Sequence, residues 1–140
     1  MQVEWLVLFD IDGTLLNSGG SGRAATRLAL EEVFGTPGAA DTIAFAGKTD
    51  WQIALEALEP AGVSRAEIEA RLHIYNEVVT RHLTAIIDQF PVRACPGTRA
   101  LVDALKARGD VLLGLVTGNM TGLIPVKLRR AGFDPDDFRV

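Results

Sequence analysis

The sequence contains a single cysteine, Cys95, in 140 residues. That excludes an intramolecular disulfide and points to a reducing compartment, so a cytoplasmic protein is expected. Cys95 has no basic neighbour to activate its thiol and reads as a small buried hydrophobe. Basic residues are also scarce: Lys and Arg number 14 against 18 Asp and Glu, for a net charge of −4, and they form no run. A nucleic-acid binder needs a basic face to neutralise phosphates, so this balance argues against that class. Long apolar runs are missing too. Trp5 to Phe9 is far too short to span a bilayer and is followed by two carboxylates, so neither a membrane span nor a signal peptide is expected. The two histidines, His73 and His82, have no partner at a spacing that would hold a metal. Internal repeats and low-complexity tracts are absent.

The rest of the composition, 48% hydrophobic and 23% charged, is that of a globular domain. The length fits one domain, or a compact domain with one insertion. Trp5 to Phe9 is continuously apolar, as in a parallel strand buried on both faces. Ser21 is placed to cap a helix that runs to Phe34 and ends at Gly35. Thr49 or Asp50 caps a short helix reaching about Glu59. Ser64 and Glu67 have capping-box spacing. Behind them Ile68, Leu72, Tyr75, Val79, Leu83 and Ile86 form one apolar face of a long helix, with Trp51 in the core beside it. Thr98 to Arg108 predicts a helix ended by Gly109. Val111 to Val116 is a second buried strand, and a further helix is expected near Ile124 to Ala131, with Pro125 in its first turn.

Each strand stops at residues that carry chemistry, and ligands bind open α/β sheets at the C-terminal ends of their strands. The first ends in Asp10-Ile11-Asp12-Gly13-Thr14. Two carboxylates at a buried strand end are costly unless paired. A divalent cation would neutralise them, and carboxylate with water is the ligand set magnesium prefers. Gly13 lets the backbone turn close to a ligand, and the Thr14 hydroxyl is placed to lock that turn. The alternative is a plain Asp-rich turn.

Phe9-Asp10-Ile11-Asp12-Gly13-Thr14-Leu15 resembles the first motif of the haloacid-dehalogenase-like hydrolase superfamily. Leu115-Val116-Thr117-Gly118-Asn119 resembles its second motif. Gly47-Lys48-Thr49-Asp50 resembles the cap loop of phosphoglycolate-phosphatase-like members. The resemblance implies an α/β fold: a Rossmann-like parallel sheet core formed by residues 1–17 and 92–140, with a helical cap inserted over residues 18–91.

The resemblance also implies roles. Asp10 would attack phosphorus and form an aspartyl-phosphate. Asp12 would protonate the leaving oxygen and then activate water. Mg2+ would sit against the Asp10 carboxylate and the Asp12 residue. Thr117, Gly118 and Asn119 would hold phosphoryl oxygens. Lys127 is the candidate for the family's charge-offsetting lysine, the alternative being a solvated helix lysine beside Arg129 and Arg130. Lys48 is the candidate to meet a distal anion of the substrate, the alternative being an exposed loop lysine.

A carboxylate at position 12 favours phosphate esters over halides, because halide leaves without a proton. The implied activity is hydrolysis of a small-molecule phosphate monoester. Phosphoryl transfer within a sugar phosphate and a catalytically silent phosphate- or metal-binding module are the alternatives. The family's fourth motif, acids that complete the magnesium site, has no counterpart. Asp134, Asp136 and Asp137 follow Gly132-Phe133 without a preceding apolar strand and read as a loop. The chain is therefore expected to be a front part of such an enzyme. The first strand is expected to be an apolar edge, open to strand swapping or homo-oligomerisation.

Overall fold

The two apolar runs form a pair of parallel strands, β1 (Trp5–Phe9) and β4 (Val111–Leu115), in a register that runs from Trp5 opposite Val111 to Phe9 opposite Leu115. The computed structural model describes residues 2–140. Residues 139 and 140 lie against the other side of β4. The Arg139 N–H donates to the Leu113 carbonyl at 2.8 Å and the Leu115 N–H to the Val140 carbonyl at 2.7 Å. Among the described residues β1 pairs with β4 alone, and Trp5, Leu6 and Leu8 are 59%, 51% and 47% exposed. The expectation of burial on both faces therefore fails for β1. A strand reads as continuously apolar whether or not a neighbour covers it; here Phe9 is buried in the core and Val7 packs partly buried against it.

A second, short antiparallel pair marks where the chain leaves and rejoins the sheet: β2 (Leu16–Asn17) and β3 (Arg93–Ala94). Strands of two residues carry no periodicity by which they could be predicted. Between them run α1 (Ser21–Phe34), α2 (Asp50–Leu58), α3 (Arg65–Ala70) and α4 (Leu72–Ile86). α1 packs along α4. Ala25, Ala29 and Leu30 from one helix meet Tyr75, Val79 and Leu83 from the other, all buried, at the three- and four-residue spacing of an apolar helix face. Glu32 crosses the same seam to Arg81 and His82.

The predicted elements are there with local differences. Ser21 is the first helical residue rather than the cap, because Gly20 takes the cap position and the Ser21 hydroxyl donates back to Ser18. The long helix is broken at Arg71, whose N–H reaches the Ile68 carbonyl three residues back and whose guanidinium is drawn to the Val33 carbonyl. The Ser64 and Thr49 caps form as expected. α5 (Thr98–Lys106) stops short of Gly109, and α6 (Leu123–Arg130) ends before Gly132. Cys95 is half-buried rather than enclosed. The chain is thus α/β, with a small parallel sheet and helices on its flanks.

Candidate active site

Strand alternation continues past the end of β1 and decides where the acids point. Ile11 is fully buried, while Asp10 and Asp12, one residue to either side, face the same open cavity. The turn is fixed by the Ile11 carbonyl, which accepts the N–H groups of Leu15 at 3.0 Å and Leu16 at 3.2 Å. Gly13 sits at φ 79°, in the left-handed region that favours glycine. Asp10 uses Oδ1 to accept the N–H of Ile11 at 2.8 Å. Because β1 and β4 are parallel and in register, Thr117 emerges at the same sheet edge.

There the two strand ends are tied by side chains. Lys127 Nζ donates to both carboxylate oxygens of Asp12 at 3.0 Å and to Asn119 Oδ1 at 2.6 Å. Asn119 Nδ2 donates to Asp12 Oδ2 and to Thr117 Oγ1, each at 2.7 Å, and the Asn119 N–H reaches Thr117 Oγ1 at 3.0 Å. Lys127 is only 4% exposed, on the inward face of α6 with Leu123 and Leu128, whereas Arg129 and Arg130 are exposed.

The opposite wall comes from the segment before α2. The Asp50 N–H donates to the Gly118 carbonyl at 2.8 Å, and Asp50 Oδ2 accepts the Met120 N–H at 2.6 Å. Approach is so close that a Cβ on Gly118 would stand 2.7 Å from the Lys48 carbonyl oxygen and 2.8 Å from Thr49 Cα. Burial pushes the Asp50 carboxyl up from its ordinary value; the Met120 N–H and the Lys127 charge oppose that shift, and the Asp12 charge adds to it. The sequence marks Asp50 as a possible helix cap and as the last residue of the motif that resembles a cap loop. Its position beside an apolar turn gives no sign that it reaches across to β4.

Lys48 lines the cavity but is ion-paired with Glu56, whose carboxyl is held low by hydrogen bonds from Lys48 and Gln52. Arg23, which the sequence did not flag, lines the same cavity from α1. Its guanidinium donates to the Ala40 and Ile43 carbonyls, lies 4.1 Å over the Phe45 ring, and has no carboxylate partner among the described residues. The cavity, about 880 Å³, thus collects Asp10, Asp12, Lys48, Thr117, Gly118, Asn119 and Lys127.

The donor set suits a hard cation. Asp10 Oδ2 and the Asp12 main-chain carbonyl accept no hydrogen bond among the described residues. These are the oxygen donors magnesium takes when water and substrate phosphate fill its other positions. No cluster of three or more His, Cys, Asp or Glu able to hold a metal is found among the described residues, so Asp134, Asp136 and Asp137 add nothing to the pair. Asp134 caps its own turn, and Asp137 pairs with Lys106.

The model of the haloacid dehalogenase-like hydrolase family matches residues 7–136. No curated protein matches the sequence. Among solved structures, a protein assigned as a phosphoglycolate phosphatase from Lactobacillus plantarum is 24% identical, with a TM-score of 0.60, over 100% of this chain and 61% of its own. A hydrolase from Pseudomonas syringae is 20% identical, with a TM-score of 0.66, over 99% of this chain and 60% of its own. CbbY from Rhodobacter sphaeroides, solved in complex with phosphate, is 17% identical, with a TM-score of 0.58, over 93% of this chain and 57% of its own. These likenesses concern the fold, and this chain spans about 60% of the length of the first two structures.

Proposed function

This chain belongs to the haloacid dehalogenase-like hydrolases, and from that premise we propose that it serves a magnesium-dependent phosphohydrolase acting on a small-molecule phosphate monoester. The observation that carries this reading is the meeting of Asp10 and Asp12 in one cavity with Lys127 buried against Asp12. Asp10 attacks phosphorus in line through one carboxylate oxygen, the other being the one that would hold the metal. The bond from phosphorus to the ester oxygen breaks, and Asp12 passes its proton to that oxygen. Asp12 then takes a proton from the water that attacks the aspartyl-phosphate, releasing phosphate and restoring Asp10.

Lys127 and Asn119 hold the Asp12 carboxyl in place. Thr117 Oγ1 already accepts two hydrogen bonds from Asn119, so its own O–H is left to donate to a phosphoryl oxygen. The Gly118 N–H assists, and the Asn119 N–H transfers from Thr117 to the phosphoryl group on binding. The Asp10 carboxylate and the Asp12 carbonyl would hold Mg2+, which would screen the repulsion between the anionic nucleophile and the anionic phosphate.

In this reading residues 18–91 are a cap over a core of residues 1–17 and 92–140. Lys48 meets a distal anion of the substrate when Glu56 releases it, and Arg23 is a second cation on the same wall. The protein works on small molecules in the cytoplasm, without nucleic acid or membrane. No helix among the described residues is long and apolar enough to cross a bilayer. The open apolar edge of β1 is where a second copy of the chain would pair.

The test is phosphate release from p-nitrophenyl phosphate with magnesium, using the whole protein. Activity is expected, and Asp10→Asn should abolish it. Turnover that survives the substitution would remove Asp10 as the nucleophile.

A further inference from the structure

Asn119 is the hub of the site, because its side chain both donates to Asp12 and accepts from Lys127. It lies in the loop between β4 and α6, where an asparagine has backbone and rotamer freedom to lose. The loop is gripped from outside at the residues that flank it. Asp50 donates its N–H to Gly118 on one side and accepts the Met120 N–H on the other, at 2.8 and 2.6 Å. The carboxylate is not needed to cap α2, since Thr49 already does so by accepting the Gln52 N–H at 3.1 Å. Nor is it fully in solvent, the cheap place for a charge in a helix's first turn: Asp50 is half-buried at the cavity wall. Burial keeps its carboxyl raised. A charged group held at that cost, and spent on one loop amide, is placed to hold the loop.

We propose that Asp50 is a positioning residue for the phosphoryl chemistry: by fixing Gly118 and Met120 it sets Asn119, and through Asn119 the Asp12 carboxyl. This rests on the reading of Asp12 as the acid. It also links the proposed cap to the reacting groups, because Asp50 belongs to the inserted segment while Asn119 belongs to the core. If that segment moves away, the two bonds that flank Asn119 go with it.

Two variants in the whole protein test this, Asp50→Ala and Asp50→Asn. A displacement of a reacting group by about 1 Å costs on the order of 100-fold in rate. Asp50→Ala is therefore expected to lower kcat for p-nitrophenyl phosphate by about that factor, with KM changed little. Asp50→Asn keeps an oxygen that accepts the Met120 N–H and should retain most of the rate. Amide hydrogen exchange at Met120 should quicken in Asp50→Ala and stay slow in Asp50→Asn.

The proposal is overturned if Asp50→Ala lowers only the melting temperature or only the affinity while kcat holds. It is also overturned if Asp50→Asn is as defective as Asp50→Ala, or if Met120 exchange is unchanged in Asp50→Ala. A wild-type protein without phosphatase activity would instead remove the functional reading, and the Met120 exchange would then decide the clamp by itself.

Discussion

Lys127 Nζ stands 3.0 Å from both carboxylate oxygens of Asp12, with the lysine buried and the Asp12 side chain 43% exposed. The asymmetry separates a functional role from a structural one. Lys127→Met removes a cation from beside a carboxylate that water can still reach, so stability should change little. On the proposed mechanism the charge that orients Asp12 and faces the phosphate is then lost, and kcat should fall by about 100- to 1000-fold. Steady-state kinetics beside a thermal melt check this. A normal kcat would return Lys127 to the ordinary role of a core-facing helix lysine.

Gly118 is pressed under the main chain of Lys48 and Thr49. A methyl group there must push backbone, which yields far less readily than the end of a side chain. Gly118→Ala is expected to destabilise the fold by about 1–3 kcal/mol, within the range for overpacking a tight contact. It should also weaken phosphate retention, since the same push displaces the Gly118 N–H. Thermal denaturation and the inhibition constant of inorganic phosphate measure the two effects separately. A variant that melts like wild type would show that the segment before α2 can lift away at no cost.

Lys48 is ion-paired with Glu56, which on the proposed reading competes with the substrate's distal anion for that ammonium. Glu56→Gln frees the ammonium, so KM should fall by about 2- to 5-fold for phosphomonoesters carrying a distal carboxylate, the scale of a half-exposed ion pair. KM for an uncharged analogue of the same length should stay where it was. Lys48→Met should do the reverse. Equal changes for both substrates would mean that the pair only braces the loop, leaving Arg23 as the cation that sees the distal group.

How much of this was legible in the sequence depends on distance along the chain. Asp10, Asp12 and the turn at Gly13 could be read directly, because an apolar strand, its last residue and the following turn are all local. The caps at Thr49 and Ser64 could be read for the same reason. Lys127 could be named as the charge-offsetting lysine only through the resemblance, with a solvated helix lysine as the alternative, because whether a helix residue faces inward depends on what packs against it. Arg23 could not be found at all, and Asp50 could be read as a cap and a cap-loop residue but not as a partner of the loop after β4. Their partners, Met120 and the carbonyls of Ala40 and Ile43, are main-chain groups that carry no side-chain signature. The exposed face of β1 departs from the reading of a strand buried on both faces but accords with the expected apolar edge: apolarity states what a strand can bury, not whether a neighbour is there to cover it.

The seam between α1 and α4 offers a test remote from the chemistry. Glu32 on α1 accepts from His82 and Arg81 on α4, and these contacts, His82 first, hold its carboxyl below the ordinary glutamate value of 4.5. A carboxyl whose folded value is depressed adds stability above its unfolded value, and that contribution is lost as the pH falls through the folded value. Glu32→Gln should therefore melt slightly below wild type at neutral pH. The gap should close as both proteins are taken below pH 4.5, because the wild-type carboxyl then loses its charge as well. The effect should be small and should shrink with added salt, since all three side chains are open to solvent to some degree. Melting curves across that pH range at two salt concentrations measure it. A gap that persists unchanged in acid would mean that Glu32 holds the seam by packing its aliphatic stem rather than by its charge.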